Sequence, residues 1–170
     1  MLYKVCYTPV VKRLVYIETS VVSAYDDPRD DPISRAQRII TRQWWDGQGP
    51  HFELCYSQAV RAELSRVEFP GQETALALLD KMMLLPITPE VEGVAETYQK
   101  HLVMPGGAMG DAVHLAVACV HEVDYLLTWN CRHIANTNKI RHIRVINMRL
   151  GLCTPEMLTP EMLVAEEEEL

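Results

Sequence analysis

The chain has no apolar run near the roughly 20 consecutive residues that a membrane-spanning helix needs. Its first residues also lack the unbroken apolar core of a secretory signal, because Lys4, Lys12 and Arg13 interrupt them. We therefore expect a cytoplasmic protein with no membrane segment.

Paired cysteines are missing as well. The five cysteines are scattered and none stands in C-x-x-C spacing: Cys6, Cys55, Cys119, Cys131 and Cys153. An odd, dispersed set argues against a disulfide framework and against a zinc ribbon. Cys55 and Cys119 fall within apolar stretches, so we expect both to be small core residues.

Positive charge is scarce, because the chain has 16 Lys and Arg residues but 23 Asp and Glu residues, and its net charge is −7. The distribution is uneven: residues 166–169 are all glutamate, whereas residues 125–155 contain no acid. The bases of that acid-free stretch are Arg132, Lys139, Arg141, Arg144 and Arg149. Localised positive charge is compatible with a nucleic-acid substrate, although a solvated amphipathic helix has the same pattern.

With 170 residues and 48% hydrophobic residues, the chain suits one soluble domain. Short apolar runs alternate with helical patterns, and we predict strands near 13–18, 52–56, 84–87, 124–129 and 152–153. This alternation predicts an α/β fold, a three-layer α/β/α sandwich with a short, mostly parallel sheet. We expect a lead-in over 1–12, the domain over 13–160 and a disordered acidic tail over 161–170.

Short polar motifs predict where the helices begin. Thr19 and Ser20 are expected to cap a short helix over 21–25, and Ser57 is expected to cap the helix that carries Glu63. Pro32 suits the first position of a helix over 33–46. The inner side of that helix is predicted to carry Ile39, Ile40, Trp44 and, as a further candidate, Trp45. Thr88, Thr154 and Thr159 each precede Pro-Glu and are expected to mark further helix starts.

Four oxygen-bearing side chains stand where this topology would form a cleft. Glu18 ends the first apolar strand run, and Asn130 follows the strand predicted over 124–129. Glu63 and Asp111 lie within otherwise apolar helical stretches. Sites in open α/β sheets lie beyond the carboxyl ends of the strands, so these four side chains could converge.

Each of these residues also has a plainer interpretation. Asp111 could cap its helix, Glu63 could be solvated, Glu18 could be a solvated acid at a strand end and Asn130 could be a turn residue. These plain roles explain the four residues less well if the side chains converge, because carboxylates in one pocket repel unless protons or a cation neutralise them. Hard oxygen ligands select Mg²⁺ or Mn²⁺, ions that activate water and hold phosphate oxygens.

The order and spacing of these motifs resemble the PIN-domain family, the VapC-like toxin ribonucleases and their relatives. The resemblance covers about residues 13–160. It is carried by VYIETS at 15–20, YSQ at 56–58 before Glu63, GDAVHLA at 110–116 and YLLTWNCRHI at 125–134. No single motif is specific, but four occur in register.

The resemblance implies a metal-dependent endoribonuclease that binds Mg²⁺ or Mn²⁺ and cleaves RNA phosphodiesters, and that could be the toxin of a toxin–antitoxin pair. It also implies a homodimer and a small antitoxin as a possible partner. The family's metal-binding and catalytic positions fall on Glu18, Glu63, Asp111 and Asn130. The hydroxyl of Thr19 or Ser20 would touch the metal or its water.

Two of these residues depart from the family pattern. Glu18 stands where the family usually has Asp, which moves the carboxylate by about one bond length. Asn130 supplies a neutral oxygen where Asp is common. These departures leave open a catalytically weak or inactive PIN-like module that binds RNA or a partner protein. The same ligand set would also fit a phosphatase acting on small phosphoesters.

Histidines and bases complete the predicted site. His114 stands three residues after Asp111, as in some carboxylate metal sites, but a zinc or di-iron site would need a second histidine with a fixed partner. We therefore expect His114 to orient a neighbour or to pack beside the site. The bases expected to hold RNA phosphates near the cut are Arg132, Lys139, Arg141 and Arg144.

Overall fold

The structure is a computed structural model that describes residues 11–66, 68–101, 103–104 and 109–165. Residues 1–10 of the predicted lead-in, the predicted loop 105–107 and residues 166–170 of the predicted tail lie outside the described residues. The division of the chain into lead-in, domain and tail stays a prediction.

Within the described residues, five short parallel strands form one sheet in the order β3-β2-β1-β4-β5. The strands are β1 (Leu14–Ile17), β2 (Glu53–Ser57), β3 (Met83–Leu85), β4 (Tyr125–Leu127) and β5 (Glu156–Leu158). The register aligns Ile17 with Leu127 and Ser57 with Leu85. The carboxyl ends of neighbouring strands therefore finish at one edge of the sheet.

Helices cover both faces of this sheet. Those in the described residues are α1 (Thr19–Ala24), α2 (Pro32–Gly47), α3 (Gln58–Ser65), α4 (Gln72–Leu79), α5 (Pro89–Lys100), α6 (Met109–Val120) and α7 (Thr137–Leu150). Helix α1 packs with α2, α3 and α4, whereas α5 packs with α6. Two short 3₁₀ helices span Gly49–His51 and Pro160–Met162. The predicted three-layer α/β/α sandwich is confirmed.

The central strands show directly that the sheet is covered on both sides. Consecutive residues Val15, Tyr16 and Ile17 of β1 are all fully buried, although their side chains point alternately to opposite faces. Cys55 and Cys119 are buried as predicted, and burial raises the pKa of the Cys119 thiol to about 11. Both cysteines are therefore packing residues with protonated thiols.

Several helix starts follow the predicted motifs. Helix α2 begins at Pro32 after an Asp31 cap, and the Thr88 hydroxyl accepts a hydrogen bond from Val91 N at the start of α5. The prediction for Thr19 and Ser20 is wrong, because α1 begins at Thr19 itself. The hydroxyls of these two residues bind carboxylates instead of helix N–H groups.

Three further local predictions are wrong. The last strand spans Glu156–Leu158 rather than 152–153. Glu156, predicted as part of a helix start, is a strand residue that pairs with Tyr125. Backbone hydrogen bonds to the edge of β4 stabilise this segment as a strand, and they outweigh the helix preference of the local Thr-Pro-Glu sequence. Ile39 is 52% exposed rather than inward-facing. It lies five residues before the buried Trp44, about 140° around the helix.

No helix in the described part of the chain is long and apolar enough to span a membrane.

Candidate metal centre

The candidate site forms where β1, β2 and β4 end and α6 begins. Glu18 follows β1 directly, and its backbone N–H donates to the carbonyl of Leu127 at the end of β4 at 3.0 Å. Glu63 projects from α3, the helix that follows β2. Asp111 and His114 lie on α6, one near its first turn and the other a turn further on. The topology therefore collects side chains from four distant parts of the sequence.

Three possible metal ligands form a compact group. One carboxylate oxygen of Glu18, one of Glu63 and a ring nitrogen of His114 lie within 4.8 Å of one another. Two ligands bound at about 2.1 Å to one ion are at most about 4.2 Å apart, so the group has to draw together to hold one ion. Glu18 is 5% exposed and His114 is 1% exposed, so these two donors are held in the protein interior.

Hydroxyl groups, rather than basic side chains, surround the Glu18 carboxylate. Thr128 Oγ1 donates to Glu18 Oε2 at 2.7 Å, and the Ser20 hydroxyl donates to the same oxygen. Among the described residues, no Lys or Arg side chain forms an ion pair with Glu18. A buried carboxylate is unfavourable unless positive charge, from a protonated His114 or from a cation, neutralises it. A divalent cation would supply that charge.

Glu63 accepts hydrogen bonds from two sides. The Thr19 hydroxyl donates to Glu63 Oε2, and His114 Nε2 lies 3.1 Å from the same oxygen. Burial raises the pKa of Glu63, but the hydrogen bonds from His114 and Thr19 outweigh it and hold the pKa below its ordinary value. The carboxylate is therefore ionised at neutral pH.

The electrostatic field of the site is negative. Burial alone would lower the pKa of His114, yet the hydrogen bond to Glu63 and the charges of Glu18, Glu63 and Asp111 raise it above its ordinary value. The negative charges of all three predicted acids therefore stabilise the protonated form of the His114 imidazole. Such a field attracts a cation into the cleft.

Asp111 and Asn130 form a second pair at the same edge. Asn130 Nδ2 donates to Asp111 Oδ1 at 2.9 Å, while Asn130 Oδ1 accepts the backbone N–H of His133 at 3.1 Å. The backbone N–H of Asn130 donates to Thr128 Oγ1 at 2.9 Å, and that hydroxyl donates to Glu18. A path of hydrogen bonds therefore joins Asn130 and Asp111 to Glu18. Asn130 Oδ1, the oxygen predicted to bind metal, already accepts a backbone N–H.

The predicted hydroxyl residues lie in the site. Thr19 and Ser20 each bind one of the two central carboxylates, as described above. Their predicted contact with a metal or its water stays a prediction. In the structure they fix the orientation of Glu63 and Glu18.

The sequence patterns did not reveal three supporting residues. Tyr16 Oη lies 2.8 Å from His114 Nδ1 and 2.7 Å from Ser57 Oγ, in the buried core. Thr128 is the third, through its bond to Glu18. A tyrosine in a buried strand and a histidine in a buried helix both need polar partners, and this requirement could have predicted their pairing.

Gly110 allows α6 to approach Glu63 closely. A Cβ atom at this position would lie 2.5 Å from Glu63 Oε1, closer than real Cβ atoms come to other heavy atoms. The missing side chain therefore leaves room for the carboxylate oxygen that neither Thr19 nor His114 binds. That oxygen is a candidate metal ligand.

We expect Gly110→Ala to lower Mn²⁺ affinity by about 10- to 100-fold, the usual cost of disturbing the support of a metal ligand. Titration calorimetry measures the affinity directly. Gly93→Ala is the matched control, because Gly93 is also helical but a Cβ there meets nothing within 4 Å. The control should bind Mn²⁺ normally and gain about 0.5–1 kcal/mol in free energy of unfolding. Unchanged Mn²⁺ affinity in Gly110→Ala would show that this close approach is unimportant.

The predicted RNA-binding bases occupy the segment after β4. Arg132 is exposed in the turn that follows Asn130, and Lys139 Nζ lies 3.4 Å from the carbonyl of Val103. Arg141 and Arg144 are exposed on α7, about one and two turns beyond its first residue. Their contact with RNA stays a prediction.

The sequence matches no protein-family model and no curated protein, but its fold matches solved structures. VapC20 of Mycobacterium tuberculosis, a toxin that cleaves the Sarcin-Ricin loop, matches with a TM-score of 0.52 and 17% identity. That alignment covers 66% of this chain and 86% of VapC20.

Two toxin–antitoxin assemblies match over more of the chain. VapBC2 from Rickettsia felis, bound to a DNA fragment from its promoter, gives a TM-score of 0.52 at 13% identity and covers 86% of this chain and 98% of the other. A toxin–antitoxin complex from Klebsiella pneumoniae gives 0.51 at 14% identity, with coverage of 86% and 97%. The chain therefore has a VapC-like PIN fold, as the sequence motifs predicted.

Proposed function

We propose that the protein is a metal-dependent endoribonuclease of PIN type that hydrolyses RNA phosphodiesters. The observation that carries the proposal is the group formed by Glu18, Glu63 and His114 at the carboxyl edge of the sheet. The similarity of the fold to VapC20, a toxin that cleaves the Sarcin-Ricin loop, supports the proposal.

The donor set fits a hard divalent cation. Glu18 and Glu63 offer carboxylate oxygens, and Asp111 adds negative charge from the start of α6. Oxygen donors of this kind suit Mg²⁺ and Mn²⁺. When bound, such an ion supplies activation of water and neutralisation of phosphate charge.

The side chains around this position have separable roles in the proposal. Glu18 and Glu63 would hold the cation, and the hydroxyls of Ser20, Thr128 and Thr19 fix the two carboxylates. Asp111, held by Asn130, faces the same cleft from α6. Since these hydrogen bonds exist before substrate arrives, the ligands need little reorganisation.

We propose that RNA approaches along the basic segment that follows β4. The exposed bases Arg132, Arg141 and Arg144 would neutralise backbone phosphates, with Lys139 beside them. Sequence-independent phosphate contacts of this type set the position of the strand on the protein. The phosphodiester to be cleaved would then lie beside Glu18, Glu63 and Asp111.

We further propose that the protein acts as a toxin held in check by a small antitoxin, and that it forms a homodimer. Two of the matched structures are toxin–antitoxin complexes, which supports an antitoxin partner. Co-expression with the product of a neighbouring reading frame, followed by size-exclusion chromatography with light scattering, would test both points.

One observation favours the second candidate, an inactive PIN-like module that binds RNA or a partner protein. Asn130 donates to Asp111 Oδ1 at 2.9 Å and so occupies one oxygen of the third acid. Combined with glutamate at position 18, this contact could leave a site that binds metal weakly. Such a module would bind RNA without turnover.

The test is RNA cleavage by the full chain with Mn²⁺, with and without EDTA, beside Asp111→Asn. We expect the wild-type protein to cleave, EDTA to stop the reaction and Asp111→Asn to slow it by about 10- to 100-fold. Asp30→Asn is the control, because Asp30 is exposed and pairs with Arg35 at 3.4 Å, away from the site. Equal cleavage by all three proteins would remove Asp111 from the mechanism. RNA binding without cleavage would favour the inactive module.

A further inference from the structure

We propose that His114 is a nitrogen ligand of the divalent cation, and that the site consequently prefers Mn²⁺ to Mg²⁺. This inference rests on the proposed metal site. It assigns His114 a direct bond to the ion, where the sequence predicted only an orienting or packing role.

The position of the imidazole supports a direct bond. His114 Nε2 lies 3.1 Å from Glu63 Oε2, a spacing that neighbouring ligands of one ion commonly adopt. The Glu18 oxygen completes the group within 4.8 Å. Because His114 is 1% exposed, packing holds its ring with Nε2 at the carboxylates and Nδ1 towards the core.

The partners of Nδ1 can set the tautomer that metal binding requires. Tyr16 Oη lies 2.8 Å from His114 Nδ1 and 2.7 Å from Ser57 Oγ, and each hydroxyl can donate or accept. If Nδ1–H donates to Tyr16, the Tyr16 hydroxyl donates to Ser57. Nε2 then presents a lone pair to the site. Histidine ligands usually donate their other ring N–H in this way.

The same chain of hydrogen bonds can run in the opposite direction. Ser57 then donates to Tyr16, Tyr16 donates to Nδ1, and Nε2–H donates to Glu63. When a cation replaces the Nε2 proton, that proton would leave to solvent, Nδ1 would take up a proton from solvent, and both hydroxyls would turn to donate in the opposite direction. The buried chain is therefore compatible with both the metal-free and the metal-bound site.

A nitrogen ligand changes which ion the site selects. Mg²⁺ favours oxygen ligands, whereas imidazole binds first-row transition ions more strongly. We therefore expect wild-type protein to bind Mn²⁺ at least about 10-fold more tightly than Mg²⁺. His114→Gln offers an amide in place of the imidazole, and it should lose most of this preference.

The test uses pulsed electron paramagnetic resonance on the full chain loaded with Mn²⁺. Nitrogen coordinated to Mn²⁺ modulates the spin echo, and ¹⁵N-labelling of histidine changes that modulation. Wild-type protein should show a coupled histidine nitrogen, and His114→Gln should not. The control is His133→Gln, which removes the other histidine near the site and should keep the coupling. If His114→Gln fails to fold, the labelled wild-type protein still tests the inference, because absence of a histidine coupling would overturn it and a coupling kept in His133→Gln would support it.

The outcomes separate this inference from the proposed function. Mn²⁺ bound to wild-type protein without a histidine coupling would overturn the inference and leave the proposed nuclease site standing. Coupling lost in His133→Gln but kept in His114→Gln would also overturn it. Absence of any Mn²⁺ binding by the wild-type protein would overturn the inference and the proposed metal site together.

Discussion

Glu63→Gln should reduce the rate of Mn²⁺-dependent RNA cleavage by at least about 100-fold, because loss of a charged ligand should cost at least as much as loss of its supporting partners. The substitution removes the negative charge that the Thr19 hydroxyl and His114 hold in place. The measurement is the single-turnover cleavage rate at saturating Mn²⁺, together with the Mn²⁺ affinity from calorimetry. Both quantities should fall.

Glu68→Gln is the matched control for this prediction. Glu68 is exposed and lies shortly after the same helix, so its replacement changes net charge identically without entering the site. It should cleave RNA and bind Mn²⁺ like the wild type. If Glu63→Gln behaves in the same way as Glu68→Gln, Glu63 does not bind the ion.

Leu126→Ala should lower the free energy of unfolding by about 2–5 kcal/mol, the range for Leu-to-Ala changes in protein cores. Leu126 is fully buried at the middle of β4, where it pairs with Tyr16 on one side and Met157 on the other. The total free energy of unfolding of a domain is only about 5–15 kcal/mol. Urea denaturation followed by circular dichroism measures the change.

The control for Leu126→Ala is Leu84→Ala in the edge strand β3, where the leucine is 44% exposed. Its replacement removes the same atoms but leaves a smaller cavity, so the loss should be about 1 kcal/mol or less. Equal losses for the two variants would contradict the placement of β4 at the centre of the core.

The architecture could be predicted from the sequence because its patterns are local. Alternation of short apolar runs with helical segments fixed the strand positions within a few residues, with β1 and β4 the clearest. The failure at β5 has a non-local cause, since Glu156 becomes a strand residue through pairing with Tyr125. Thr19 and Ser20 were expected to be helix caps because a local pattern cannot show that nearby carboxylates compete for their hydroxyls.

The site could be predicted only in part. Strand ends and apolar helices pointed to Glu18, Glu63, Asp111 and Asn130, and the structure places them at one edge of the sheet. It also groups them differently from the prediction, with His114 between Glu18 and Glu63 and with Asn130 bound to Asp111. Spacing along the chain cannot show which side chains meet, because that depends on helix rotation and on close approaches such as that of Gly110.

A crystal structure of the protein soaked in Mn²⁺, with anomalous scattering recorded at the manganese edge, tests the central claim most directly. We predict a manganese peak between the carboxylates of Glu18 and Glu63, within bonding distance of both. A peak at another position, or none at Mn²⁺ concentrations that support cleavage, would contradict the assignment of this cluster as the metal centre.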